Sequence, residues 1–271
     1  MAGVPSTMPQ RGNGRSGRLT VLPGPYVACA ECVIRKSALF RPVSEEHLSW
    51  TQGYRSAQMG LPAHAHLYQE GDTPEYCWTL YDGWVKLYKT LVTGKRQILR
   101  FAMAGDFLGF EPDLRGPMGH AAQALTDCTL CAFPRSRLAE LFRARPEVAT
   151  QFAWMAARDM RLCQEHLTGL GKKPARERIA YLLLEIYHRQ RHIGEATGRL
   201  VPGQRLAVPI TQEDIADAVG LTPVHVSRTL SQMRAEGLIA CAKGEMTIMD
   251  EAALREIAEF DPQLLQARPL L

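Results

Sequence analysis

The chain changes its hydrophobic period near the middle. Between about residues 60 and 135, Gly60, Gly71, Gly83, Gly94 and Gly105 recur at near-equal intervals, separated by short β-rich runs. Examples are Trp78-Thr79-Leu80-Tyr81, Trp84-Val85-Lys86-Leu87-Tyr88 and Gln97-Ile98-Leu99-Arg100-Phe101. Such punctuation predicts stacked antiparallel hairpins that turn alternate side chains into one core. A small β-barrel or roll follows; a plain β-sandwich has the same periodicity, which does not choose between them.

From Pro146 onward the apolar residues step by three or four: Val148, Phe152, Met155, Ala156, Met160, Cys163, Leu167 and Leu170. Proline suits a first helical position, and the stripe predicts one long amphipathic helix. Such a stripe serves either as intramolecular core or as a dimer seam. Lying between two domains with little else to cover it, this one reads as a homodimer helix. A further helix is expected over Pro174 to His188, with Ile179, Leu182, Leu183 and Ile186 inward and its basic residues outward, followed by a loop from Gly194 to Gly203.

Next comes a pair of short helices. Thr211 stands three residues before Asp214, a capping arrangement that opens a helix through Ile215, Ala216 and Val219, and Gly220 ends it. Thr222 caps again and Pro223 starts a second helix that closes near Gly237. Within it Val226, Leu230 and Met233 share one face, which turns Val224, His225, Ser227, Arg228 and Gln232 outward. A helix amino end carrying short polar groups and one Arg suits a DNA major groove, where Arg reaches guanine O6 and N7 and Ser binds phosphate. Leu238 to Asp250 adds a hairpin-like wing around Lys243-Gly244. If the long helix dimerises, two such units read half-sites about one DNA turn apart.

Composition narrows the class. The 271 residues are 46% apolar and 22% charged, ordinary values for globular domains and not for collagen, a long coiled coil or global disorder. The apolar runs fall short of the roughly 20 residues a membrane helix needs, and Met1 to Arg18 lacks an apolar signal core, so a cytoplasmic protein is expected. Net charge is +4, but Lys172 to Arg205 holds eight Lys or Arg against three acids, a local bias toward an anionic partner. There is no phosphate-cradling glycine loop followed by Lys-Ser/Thr, no His-Glu-x-x-His and no Gly-x-Ser-x-Gly, so an enzyme is not expected. Seven cysteines in a reducing compartment argue against a disulfide framework and leave buried thiols, metal ligation or redox sensing.

Several stretches together resemble the CRP/FNR family of bacterial transcription regulators, from about Cys29 to Asp250. They are Glu70-Gly71-Asp72, Gly83-Trp84-Val85-Lys86, Gly105-Asp106-Phe107-Leu108-Gly109-Phe110, Ala122-Gln123-Ala124-Leu125, Lys172-Lys173-Pro174-Ala175-Arg176-Glu177-Arg178, and Ile210 to Ile239. The resemblance implies an α+β chain. A disordered extension over 1–28 would lead into a cyclic-nucleotide-binding-like β-roll sensor over 29–145. A dimerisation helix over 146–171 and a winged helix-turn-helix over 172–254 would follow, with a tail over 255–271. It further implies a homodimer that binds double-stranded DNA through Thr222, Val224, His225, Ser227, Arg228, Gln232, Lys172 and Lys173, and recruits or blocks RNA polymerase. A ligand- or redox-binding module whose winged helix contacts protein is the alternative function.

The sensor is similar to the FNR and FixK branches. An effector pocket is expected around Gly105, Asp106, Gly109 and His120, but Gly119-His120-Ala121-Ala122 stands where nucleotide receptors carry an Arg-Ser or Arg-Thr pair for the cyclic phosphate, which disfavours cyclic AMP. Val224 replaces the family's glutamate, exchanging a cytosine-amine acceptor for apolar contact such as a thymine methyl. Cys29, Cys32 and Cys131 match three cluster cysteines of oxygen-sensing relatives, and Val33 to Phe40 supply no fourth. An iron–sulfur cluster completed by Cys77, Cys128 or a non-cysteine group, zinc, a reversible Cys29–Cys32 disulfide, and no ligand at all are the alternatives there. Cys163, on the helical stripe, is a candidate redox site, with inert packing its alternative.

Overall fold

The computed structural model describes residues 18–36, 52–197, 206–242 and 245–265. The β-rich half comprises β1 (Thr20–Val21), β2 (Ala57–Leu61), β3 (His66–Tyr68), β4 (Tyr76–Asp82), β5 (Val85–Thr90), β6 (Arg96–Ala102), β7 (Phe107–Leu108), β8 (Ala121–Ala124) and β9 (Cys128–Pro134). They form two sheets, ordered β1-β2-β9-β4-β7 and β3-β8-β5-β6, with antiparallel neighbours throughout. Because each sheet keeps its own ladders, the unit is a double-sheet roll rather than a closed barrel. Trp78, Leu80, Val85, Leu87, Leu130 and Ala132 fill the space between the sheets.

The even spacing of glycines conceals different uses. Gly83 turns β4 into β5 at φ +99°, and a Cβ there would stand 2.5 Å from the Asp127 carbonyl oxygen. Gly60 instead lies inside β2, where the Leu22 side chain crosses 3.1 Å from its would-be Cβ. The loose extension expected through residue 28 also ends earlier. Thr20 and Val21 pair with Gly60 and Met59, so β1 extends the first sheet.

The helical rod begins against this roll. α1 (Leu138–Ala144) leads into α2 (Pro146–Lys172), which has proline at its start as expected. Val148, Phe152 and Met155 pack with Cys77, Phe107, Phe133 and Leu141. Phe152 makes edge contacts with Phe107 at 4.9 Å and Phe142 at 5.0 Å between ring centroids. Burying side chains of this size stabilises by about 1.5–3 kcal/mol each. The stripe that reads as one continuous seam is thus divided: its first turns are core, while Met160 and Leu167 stay 59% and 71% exposed.

The last third contains α3 (Ala175–Thr197), β10 (Leu206–Ala207), α4 (Gln212–Val219), α5 (Pro223–Ala235), β11 (Ile239–Ala242), β12 (Glu245–Ile248) and α6 (Glu251–Ala258). Ile179 through Ile186 are all buried, so α3 is a central helix covered on every side there, with Glu185 its one buried charge in that stretch, rather than an amphipathic surface helix. It also runs through Gly194, which the sequence pattern assigns to a loop. The wing is the sheet β10-β12-β11, with Ile239 opposite Ile248; its tip, Lys243-Gly244, lies outside the described residues. The expected tail from 255 is in part core, since Ala258 and Phe260 are buried beneath α3 residues of the same cluster. That cluster also takes in Trp84, Ile98, Phe101 and Met103 of the roll, so roll and C-terminal unit share one apolar core.

Gly83→Ala forces an L residue into a left-handed conformation and against the Asp127 carbonyl, so it should destabilise the fold by about 1–3 kcal/mol or more. Urea unfolding measures this. An unchanged midpoint would contradict the turn geometry.

Candidate nucleic-acid interface

Two caps set the helix pair. Thr211 Oγ1 accepts the Asp214 amide at 3.1 Å while Asp214 Oδ2 accepts the Thr211 amide at 3.0 Å, the reciprocal box predicted from their spacing. Gly220 ends α4 at φ +64°, and Thr222 Oγ1 accepts the His225 amide at 3.3 Å to open α5. Val226, Leu230 and Met233 anchor α5 in the core. Its amino end therefore points outward: Thr222, Val224, His225, Arg228 and Gln232 are exposed, Val224 at 72%, and Ser227 is half-buried. No ion pair or hydrogen bond engages Arg228 among the described residues. Thr222 is already used as a cap through its hydroxyl.

The basic excess of the preceding segment is mostly spent inside the fold. Lys173 Nζ donates to the Ala258 carbonyl at 2.8 Å and pairs with Glu259 at 2.9 Å, so its expected DNA role gives way to an anchor for the end of α6. Arg176 grips Glu236 through both guanidinium ends, and Arg178 donates to the Val219 carbonyl at 2.7 Å. Arg189 pairs with Asp106 and Glu185. Lys172, at the end of α2, remains exposed.

The residues expected to line an effector pocket serve other contacts. Asp106, at the turn between β6 and β7, is buried; its carboxylate accepts the Met103 amide at 2.8 Å, binds Arg189 and lies 3.8 Å from Arg158. Burial alone would raise this carboxyl's pKa, but Arg189, Arg100 and Arg158 hold it below the usual value. Asp106 is thus a joint between roll and α3, a correction to its assignment as an effector ligand. Gly105 donates its amide to the Leu80 carbonyl at 2.7 Å. Gly109 leaves room for the Trp78 ring, 3.0 Å from where a Cβ would stand. His120 is held between the Tyr68 hydroxyl at 3.0 Å and Glu111 at 3.2 Å, and burial lowers its pKa.

The described cysteines occupy three settings. Burial pushes the Cys77 thiol up to about 12 and Cys128 to about 11, leaving both as inert packing side chains. Cys131 on β9 is likewise raised by burial; the Gln58 amide approaches its sulfur at 3.5 Å. Cys29 is buried and Cys32 half-buried. Among the described residues no three His, Cys, Asp or Glu side chains converge to hold a metal ion. Cys131 lies near enough to Cys32 for their charges to interact, and Cys29, Cys32 and Cys131 together supply three of the four thiolates that a cubane cluster takes. Cys163 is exposed on the open part of α2, and partial burial raises its pKa rather than activating it.

Two capped helices, an exposed amino end and a three-stranded wing define a winged helix-turn-helix, here joined to a roll of the cyclic-nucleotide-binding type. Residues 177–257 match the Crp-like helix-turn-helix domain, and residues 59–145 match the cyclic nucleotide-binding domain. The nitrogen fixation regulation protein FixK of Rhizobium meliloti is 32% identical over 194 residues, 70% of this chain and 82% of that protein. The transcriptional activator protein FnrL of Cereibacter sphaeroides is 30% identical over 239 residues, 86% and 92% of the two chains. The solved structure of FixK2 from Bradyrhizobium japonicum superposes with a TM-score of 0.65 at 30% identity, covering 74% of this chain and 96% of its own. The chain belongs to the CRP/FNR family of DNA-binding transcription regulators.

Sequence reasoning missed the charged junction around Asp106. His166 on α2 meets Glu185 on α3 at 2.7 Å, with Arg189 at 3.4 Å from the same carboxylate and the Tyr181 ring edge-on to the imidazole. Burial would lower the His166 pKa, but the hydrogen bond and charge of Glu185 outweigh it and raise the value above 6.5. A histidine favoured as the cation in the fold contributes stability fully below its unfolded pKa and loses it as pH rises through the folded value. His166 therefore contributes stability that is lost as pH goes from about 6 to about 9, opposed by His66, His120 and His188, whose pKa values burial lowers, so the urea-midpoint difference between wild type and His166→Gln should shrink over that range. A difference that does not change with pH would remove His166 as a source of the pH dependence.

Proposed function

We propose that the chain is a cytoplasmic, dimeric transcription regulator that reads promoter DNA with α5 and passes a signal from the roll to RNA polymerase, and that it is not an enzyme. The observation that carries this reading is the outward amino end of α5, with Val224, His225, Ser227 and Arg228 presented by a doubly capped helix pair. In a major groove the helix dipole and Ser227 face phosphate, Arg228 addresses a guanine edge, and Val224 packs on a thymine methyl. Lys172 adds a phosphate contact. The open face of α2, carrying Met160, Cys163, Leu167 and Leu170, supports a seam between two copies. No described helix is long and apolar enough to cross a membrane. The identity of the signal, redox or a small ligand, lies with the roll and its cysteines.

Duplex binding tests this against a winged helix used for protein contacts. Affinity should fall steeply with added salt, as phosphate neutralisation requires. Arg228→Ala should cost roughly 1–3 kcal/mol and relax preference at one base pair, whereas Lys172→Ala should weaken cognate and random duplex alike. Salt-independent binding, or equal losses on both duplexes for both variants, would contradict the assignment. The redox reading of Cys163 has its own check: oxidised protein on a non-reducing gel should show a crosslinked dimer that Cys163→Ser abolishes, and a monomeric band with Cys163 unreacted removes the idea.

A further inference from the structure

The β5–β6 hairpin of the roll holds α4 along its length. At the amino end, Lys86 Nζ meets Asp214 Oδ1 at 2.7 Å, and both residues are buried. The other oxygen of that carboxylate closes the cap on Thr211, so one side chain ties the roll to the first turn of the helix pair. Arg96 spans from the first turn to the middle of the helix, reaching Glu213 and Asp217, each at 3.1 Å. Toward the carboxyl end, Gln97 Nε2 donates to the Ala218 carbonyl at 3.0 Å. Ile98 joins the cluster containing Ile215 and Val219 beneath these bonds.

None of these contacts covers the reading surface, since Val224 and Arg228 stay exposed on α5. What they restrict is direction. Apolar packing is non-directional, whereas a buried lysine paired to a buried carboxylate has one geometry that avoids an unpaired charge. Because α4 is joined to α5 by the short Gly220 turn, fixing α4 on the roll fixes α5 as well. A dimer that reads two half-sites needs its two reading helices at one separation, about one DNA turn.

We propose that Lys86, seconded by Arg96 and Gln97, is a positioning residue for DNA reading: it sets the angle of α5 to the roll and so selects the half-site spacing. This rests on the DNA reading above. The test uses the full chain with Lys86→Met, Lys86→Arg and Arg96→Ala, on duplexes carrying one half-site, two at the preferred spacing, or two with the spacing changed by about two base pairs. Lys86→Met should keep wild-type affinity for one half-site, lose roughly tenfold on the paired site and lose its spacing preference, and Lys86→Arg should restore both. Retained spacing preference in Lys86→Met, or equal loss on single and paired sites, would overturn the proposal. Should Lys86→Met fail to fold, Arg96→Ala decides, with the same direction and a smaller loss expected and no change contradicting it.

A readout without DNA separates this inference from the function it rests on. Spin labels attached bio-orthogonally at the exposed Val92 and Met249, in chains diluted with unlabelled protein, report the distance between roll and wing. A narrow distance distribution in the wild type that broadens in Lys86→Met supports the positioning role even if no duplex binds, which would overturn only the DNA reading. An equally narrow distribution in Lys86→Met overturns the positioning role.

Discussion

Lys86–Asp214 and Asp106–Arg189 are ion pairs buried where roll, rod and C-terminal unit meet, and the relation between the roll and the helix-turn-helix unit depends on them. Taking such charges out of water is expensive, and the gain from pairing them seldom exceeds that cost by much. Their effect is on uniqueness: only a narrow range of domain orientations satisfies both carboxylates at once. Trp84, Ile98, Phe101 and Met103 supply the apolar attraction that brings the halves together, and the ion pairs choose among the ways they could meet.

From that junction the path to the exposed amino end of α5 is short. Asp214 serves both as the Lys86 partner and as one half of the box that starts α4. α4 ends at a left-handed glycine, and α5 starts one capped turn later with its apolar face committed to the core. The outward direction of Val224, His225 and Arg228 follows from these anchors and not from any contact of their own. Below the junction, the phenylalanine cluster pins the first turns of α2 to the roll and leaves its later turns, from Met160 on, with an apolar face uncovered.

Local signals were legible in the sequence because they depend on neighbours in the chain. The Thr211/Asp214 and Thr222/Pro223 starts, the Gly220 stop, the proline that opens α2 and the strand runs all require only spacing and residue type. Signals were lost where a distant partner decides. Lys86 lies in a strand between buried Val85 and Leu87, so alternation alone would send it to solvent; α4 covers it. Lys173 and Arg176 add to a basic run that suggests a phosphate surface, yet their partners, Glu259 and Glu236, come from much later in the chain. Asp106 belongs to a family motif at a glycine turn, and nothing near it in the sequence reveals Arg189. The seam was over-extended for the same reason, because a heptad-like stripe does not say which of its turns meet a sheet.

The most direct measurement is the structure of the protein bound to a duplex selected from random sequence. The account predicts two chains joined along the later turns of α2, each with α5 in a major groove, Arg228 on a base edge, and Lys86 still paired with Asp214. A complex in which α2 is unpaired, or in which Arg228 lies away from the bases, would contradict it.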